Sequence, residues 1–125
     1  MKKIVLLLIL LLSLSYSSNI QKAFALAIFD EDGKGENIQN KRITENDYNG
    51  ICYSKIVIFG QFNNNSNLDI KIGNSIGTYE SKIPISNQNN IVIGYELTFK
   101  HYTVTSGYFE VRVDGKLYDT KVFIK

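Results

Sequence analysis

Cys52 and His101 are the single cysteine and the single histidine of this 125-residue chain, and together they could form a nucleophile and its general base. Such a pair works when the imidazole accepts the thiol proton and leaves a reactive thiolate. Neither residue stands in a local motif typical of a cysteine enzyme. We therefore predict no catalytic residues and no enzyme. Cys52, next to an apolar run, is interpreted as a free thiol that is either buried or paired between chains, and His101 as a solvated strand end.

Carboxylates gather near residue 30, where Asp30, Asp32 and Glu36 resemble the start of a calcium-binding loop. The resemblance fails because Lys34 occupies the fifth position and Lys41 the twelfth, where the loop needs an oxygen ligand and a bidentate Glu. Zinc is disfavoured because one Cys and one His leave the four-ligand shell incomplete without carboxylates. We predict no metal and no cofactor, and we interpret these carboxylates as part of a solvated, charged segment.

Three apolar side chains near the C-terminus are the candidate binding residues. Tyr108, Leu117 and Phe123 share the more polar face of a predicted hairpin. If that face is exposed, they form a patch that could stack on a sugar or bind a protein. If a second sheet covers it, the same residues belong to the core.

The elements that must position these residues are strands. Asp114-Gly115, between two alternating runs, predicts a two-residue type I′ hairpin that pairs Val113 with Lys116 and places Glu110 opposite Asp119. Pro84 cannot donate to a ladder, so its strand is expected at a sheet edge. Four further strands are predicted upstream of the hairpin, at Cys52–Phe59, Leu68–Ile72, Thr78–Ile85 and Ile91–Lys100.

Composition supports the same fold class. Residues 26–125 contain 14 Ile and 6 Val but only 4 Leu and 1 Ala, a balance that favours strands over helices. We predict an all-β fold, an immunoglobulin-like antiparallel sandwich of six or seven strands over residues 51–125, with a small open barrel as the alternative. Residues 26–50 are polar and lack a clear period, and we expect a mobile arm. Because 75 residues make a slender core, either this arm adds a strand or the protein associates with itself or a partner.

The N-terminus predicts export. Lys2 and Lys3 precede nine aliphatic residues, Ile4–Leu12, and small residues suited to cleavage follow, with cutting expected after Ala25 or Ala27. The apolar run is too short to span a bilayer, so we expect a secretory signal over residues 1–25 and no membrane span after its removal. We expect the protein to be secreted or attached to the cell envelope, and we favour a bacterial source.

Charge excludes one class of partner. Lys2, Lys3 and Lys22 lie in the predicted signal, which contains no acid, so 11 basic and 12 acidic residues remain and the net charge is −1. Without a basic stripe, nucleic-acid binding is not expected. The sequence therefore predicts a secreted, non-catalytic binding module for an extracellular glycan or protein. The alternative is a secreted effector, such as an antibacterial or cytolytic protein, or an inhibitor of an extracellular enzyme.

Overall fold

The computed structural model describes residues 19–61 and 65–125, which form ten β-strands and no helix. Five strands form one antiparallel sheet in the order β2-β1-β3-β7-β6, and the others form a second in the order β10-β8-β4-β5, with β9 beside β8. The all-β class is confirmed, and the two sheets do not close into a barrel. The strands are β1 (Asn19–Asp30), β2 (Gly35–Asn37), β3 (Gly50–Gln61), β4 (Leu68–Ile72), β5 (Ser75–Ile76), β6 (Thr78–Ser86), β7 (Val92–Val104), β8 (Gly107–Val113), β9 (Lys116–Asp119) and β10 (Phe123–Ile124).

Strand β3 is the central strand of the larger sheet, as its two-sided apolar pattern predicted. Ile56 and Ile58 are completely buried on the side that faces the core. Val57 points to the opposite face and is still only 5 % exposed. Because β3 lies in the middle of the sheet, apolar side chains on both of its faces are covered by the rest of the protein.

One apolar core joins the two sheets. The larger sheet contributes residues from β1, β3 and β7, and the smaller sheet contributes residues from β4, β8 and β10. The largest completely buried side chains include Leu97 and Phe99 from β7, and Ile70, Ile72 and Phe109 from the smaller sheet. The outer face of each sheet is therefore left for solvent or a ligand.

The C-terminal hairpin has the predicted turn but a different register. Asp114 and Gly115 both have positive φ, 52° and 85°, as a type I′ turn requires. A bulge then shifts the ladder, so that Asp119 lies opposite Val111 and not opposite Glu110. The predicted Glu110–Asp119 pairing is wrong for this reason. Asp119 is instead buried and accepts a hydrogen bond from the backbone N–H of Ala25 in β1, at 2.9 Å.

Residues 26–50, expected to be a polar arm, are built into the fold. Residues 26–30 complete β1, and Gly35–Asn37 adds strand β2 at the sheet edge. Ile28, Ile38 and Tyr48 are buried in the core. The backbone N–H groups of Thr44 and Tyr48 donate to the carbonyls of Phe123 and Lys125, respectively. Periodicity missed this segment because Ile28 follows a bulge in β1, and Ile38 and Tyr48 lie in loops, where no regular spacing applies.

The predicted signal lies mainly outside the described residues. Residues 1–18 are not described, whereas residues 19–25, the predicted end of the signal, form the first half of β1. Both predicted cleavage positions, after Ala25 and after Ala27, fall inside this strand. Among the described residues, no helix has the length and apolar character needed to cross a bilayer.

Candidate functional site

Cys52 and His101 meet in the structure, but inside the core. They are direct partners in the β3–β7 ladder, and both side chains are completely buried. His101 Nδ1 donates to the carbonyl oxygen of Ser75 at 3.3 Å, which leaves Nε2 to accept the hydroxyl of Ser54 at 2.8 Å. The interpretation of His101 as a solvated strand end is wrong, because a β7 longer than expected carries it under the smaller sheet.

Neither group of this pair is activated. Burial raises the pKa of the Cys52 thiol to about 12, so the thiolate that a nucleophile needs does not form near neutral pH. Burial lowers the pKa of His101 to about 4, against a smaller opposing effect of its hydrogen bond with Ser75. Cys52 is a free, buried thiol. Cys52 packs in the core, and His101 links Ser54 and Ser75 through buried hydrogen bonds.

The carboxylates near residue 30 do not form a common site, because Asp30 and Glu36 each accept hydrogen bonds from other groups of the protein. Asp30 Oδ1 accepts the backbone N–H groups of Asp32 and Lys34, each at 2.9 Å. Glu36 accepts Lys41 Nζ at 3.0 Å, the Tyr48 hydroxyl at 2.8 Å, and three N–H groups of Glu45 and Asn46. In residues 19–61 and 65–125 no group of three or more ligating side chains could hold a metal ion.

Glu36 organises the loop that follows β2. Burial alone would raise the pKa of its carboxyl, but hydrogen bonds from the Glu45 N–H, Tyr48, Lys41 and Asn46 together lower it to about 2. The ionised carboxylate therefore holds residues 41–48 against the domain. Its role is structural, and the interpretation of Glu36 as part of a solvated segment is wrong, because its side chain is only 8 % exposed.

The predicted binding residues on the smaller sheet are only partly brought together. Tyr108 and Phe123 are cross-strand partners with ring centroids 5.3 Å apart, in an edge-to-face arrangement. Leu117 pairs with Arg112, four residues farther along β8, which corresponds to about 13 Å of strand. Tyr108 is 56 % exposed. This face offers one exposed aromatic pair, with Leu117 at a distance from it.

A denser arrangement lies on the outer face of the larger sheet. Phe29 in β1, Tyr53 in β3 and Lys100 in β7 are successive ladder partners, so they form a line across three neighbouring strands. Lys55 follows Tyr53 two residues along β3, and Tyr102 follows Lys100 two residues along β7, on the same side of the sheet. We call these five residues, Phe29, Tyr53, Lys55, Lys100 and Tyr102, the aromatic–lysine row.

Rings and ammonium groups alternate along the aromatic–lysine row. The rings of Phe29 and Tyr53 are stacked, with centroids 5.2 Å apart and planes 7° from parallel. Lys55 Nζ lies 5.6 Å from the Phe29 centroid. Lys100 Nζ lies 5.6 Å from the centroid of Tyr53 and 5.0 Å from that of Tyr102. These cation–π contacts restrict the two flexible lysine side chains before any ligand binds.

The face is locally positive although residues 26–125 together are not. Of the residues after position 25 that the ladders place on it, Lys55 and Lys100 are cationic and Glu96 is anionic. Glu96 Oε1 lies 3.4 Å from Lys55 Nζ. Hydrogen bonds with Tyr53 and then Tyr102 raise the pKa of Lys100, which keeps this side chain charged.

A depression of about 400 Å³, which is largely open to solvent and is called the cavity below, lies at the end of the aromatic–lysine row. Its walls include Ala27 and Phe29 from β1, Lys55 from β3, and Gly35 and Asn37 from β2. Gly35 is required here, because a Cβ on it would lie 2.1 Å from the carbonyl oxygen of Ile28. Close approach of β2 to β1 thus shapes one wall of the cavity.

No protein family, curated protein or solved structure matches this chain. The site must therefore be judged on its own chemistry. The aromatic–lysine row and the cavity together supply apolar ring surface, fixed cations and a concave wall, and they contain no nucleophile with a partner base. Such a set can bind and orient a ligand.

Sequence reasoning missed this site for a topological reason. Its residues come from positions 27–37, 53–55 and 100–102, and only the strand order brings them together. The outward parity of Tyr53 and Lys55 in β3 was readable from the sequence. Their neighbour Phe29 was not, because residues 26–50 lack a clear period and were expected to form a mobile arm.

Proposed function

We propose that this protein is an exported, non-catalytic binding module that holds a glycan on the outer face of its larger sheet. The observation that carries the proposal is the aromatic–lysine row, with stacked Phe29 and Tyr53 rings and lysines fixed above them. Aromatic rings on a rigid sheet offer sugars an apolar surface at a low cost in conformational entropy. The adjoining cavity gives one sugar unit a recess beside the rings.

The finer description of the fold belongs to the same proposal. Two antiparallel sheets that share one core support a sandwich of the immunoglobulin-like kind. The lysine-led apolar N-terminus supports export by a bacterial cell. An extracellular location would bring the outer sheet face into contact with cell-wall and environmental glycans.

Replacing Tyr53 by Ala is expected to weaken glycan retention by up to about tenfold, because one stacked ring contributes about 0.5–1.5 kcal/mol. The measurement is retention of the purified protein on insoluble cell walls, chitin, cellulose and immobilised polygalacturonate. Tyr108→Ala is the matched control, since it removes a tyrosine that is also paired with a phenylalanine, on the other sheet. Absence of retention on every glycan, or equal losses in both variants, would count against the proposal.

A second candidate function, attack on membranes, rests on the hairpin formed by β6 and β7. Residues 83–95 contain no charged side chain, and Ile83, Ile91 and Val92 are about half exposed. Pairing of β3 with β7 ends at Gly94, so the tip of this hairpin extends past its central neighbour. Strand β6 is also an edge strand, as Pro84 predicted. Exposed isoleucines on such a hairpin suit a lipid surface and favour the effector alternative.

Dye release from liposomes tests this candidate. If the hairpin enters bilayers, the purified protein should release dye, and Ile83→Asn with Val92→Asn should abolish release, because each substitution removes an apolar side chain that would face lipid. Leu117→Asn, an equally apolar change on the smaller sheet, should leave release unchanged. Intact liposomes at protein concentrations that saturate glycan binding would remove membrane attack as a function.

A further inference from the structure

We infer that the glycan bound at the aromatic–lysine row is acidic, and that a hexuronic acid unit of it occupies the cavity next to Phe29. This inference rests on the proposed binding function and adds the ligand's chemical class. In the bound state, the sugar ring packs on Phe29 and its carboxylate meets Lys55. The neighbouring units of the chain run along the row toward Lys100.

The cavity has the size and the lining for one sugar ring. Its volume of about 400 Å³ lies in the range of small-molecule sites. Phe29 lines the cavity and Tyr53 does not. Phe29 and Ala27 supply apolar contact for the C–H face of a sugar. The Asn37 amide supplies a donor and an acceptor for hydroxyl groups.

The charge at the cavity points to an anion. Lys55 is the cation of the cavity wall, and it is held near Phe29. Its partner Glu96 is on β7, across the sheet from the cavity, and the 3.4 Å separation leaves ammonium protons for a second acceptor. The other carboxylate among the lining residues, Glu36, is already neutralised by Lys41 and four further hydrogen bonds. A sugar carboxylate therefore enters a site with an available cation.

The same observations disfavour a nucleic acid. Binding to a phosphate backbone depends on several phosphate contacts, whereas the ladders place two lysines and one glutamate of residues 26–125 on this face. A neutral glycan would bring no second anion to Lys55, whose ammonium group lies 3.4 Å from Glu96 and can donate to a further acceptor.

Titration calorimetry with defined polymers tests the inference. The purified protein is titrated with polygalacturonate, neutral galactan, polyphosphate and single-stranded DNA at about 0.05 and about 0.5 M NaCl. Polygalacturonate should bind at least about tenfold tighter than galactan and weaken at the higher salt. Lys55→Gln should lower its affinity about tenfold, and Lys55→Arg should retain most of it.

A matched lysine lies on the other sheet. Lys71 forms an ion pair with Asp69 and is 34 % exposed, against 36 % for Lys55, so Lys71→Gln controls for the loss of one paired surface charge. It should change the affinity less than about twofold. Melting temperatures of the three variants show whether the fold is kept, and Lys55→Arg preserves the charge if Lys55→Gln does not fold.

The outcomes separate the two levels of the proposal. Equal or tighter binding of neutral galactan would overturn the acidic class and leave the glycan-binding function in place. Equal binding of polyphosphate or DNA with the same dependence on Lys55 would mean that the patch recognises anions without a sugar, which also overturns the inference. Failure of every glycan to bind would overturn both.

Discussion

The folded protein is expected to lose about 3 kcal/mol of stability through His101 alone as the pH falls from 6.5 to about 4. Burial lowers the pKa of this imidazole from 6.5 to about 4, and one pKa unit corresponds to about 1.4 kcal/mol. Between these two pH values the unfolded chain binds a proton that the folded chain does not. Acid therefore favours unfolding in this window, and below it both states are protonated and no further loss arises from His101.

Packing explains why the folded state cannot easily accept the proton. Both ring nitrogens are engaged, one with Ser54 and one with Ser75. Gly77 lies so close that a Cβ there would be 2.9 Å from His101 Cε1. A protonated ring would need to donate from Nε2 as well, and it would sit as an unpaired charge in an apolar core.

Urea unfolding at pH 7, 5.5 and 4.5 measures the effect. In His101→Gln, which keeps a neutral side chain that can bond Ser54, stability at pH 7 should be lower but the slope between pH 6.5 and 4.5 should largely vanish. Glu36 acts in a separate window: its lowered pKa contributes stability above pH 4.5 that is lost as the pH falls toward 2. An unchanged slope in His101→Gln would show that the buried imidazole is not the group responsible.

Local sequence pattern was sufficient to predict the strands in which apolar and polar residues alternate and those that end at a clear turn. Leu68–Ile72 was predicted at its observed bounds, and Asp114-Gly115 forms the predicted turn. These elements depend on side-chain parity and on backbone conformations near a glycine, which are properties of neighbouring residues.

The positions of bulges and the order of the strands could not be predicted from local sequence pattern. A single bulge moved Asp119 from the predicted surface position into the core, where it bonds Ala25, because a one-residue shift exchanges the two faces. His101 was misplaced since nothing in its own segment shows that the smaller sheet covers it. The aromatic–lysine row depends on β1 lying beside β3 and β3 beside β7, which is a long-range choice.

The first half of β1 lies in the middle of the fold's hydrogen bonding and packing. Residues 19–25 pair with β3 from Ile56 to Gln61, and Ala23 and Ala25 are buried. The Ala25 N–H is the donor that Asp119 Oδ2 accepts within the core. A chain that begins at Leu26, one product of cleavage at the predicted site, lacks all of these contacts.

We expect the chain that begins at Leu26 to be at least about 3 kcal/mol less stable than the chain that begins at Asn19. An unsatisfied buried carboxylate oxygen costs about 1–3 kcal/mol, and the lost burial of two alanines and the unpaired edge of β3 add to it. The open edge should also promote aggregation, because unpaired strand groups are templates for another chain. Urea unfolding of the two chains measures the difference, and light scattering detects the association.

Asp119→Asn in both chains provides the internal control. In the chain that begins at Asn19 it should be destabilising, because the amide cannot fully replace the carboxylate as acceptor for the Ala25 N–H. In the chain that begins at Leu26 the donor is gone, so the same substitution should cost less. Equal costs in the two chains, or equal stabilities without the substitution, would show that residues 19–25 are dispensable and that cleavage within β1 leaves the fold intact.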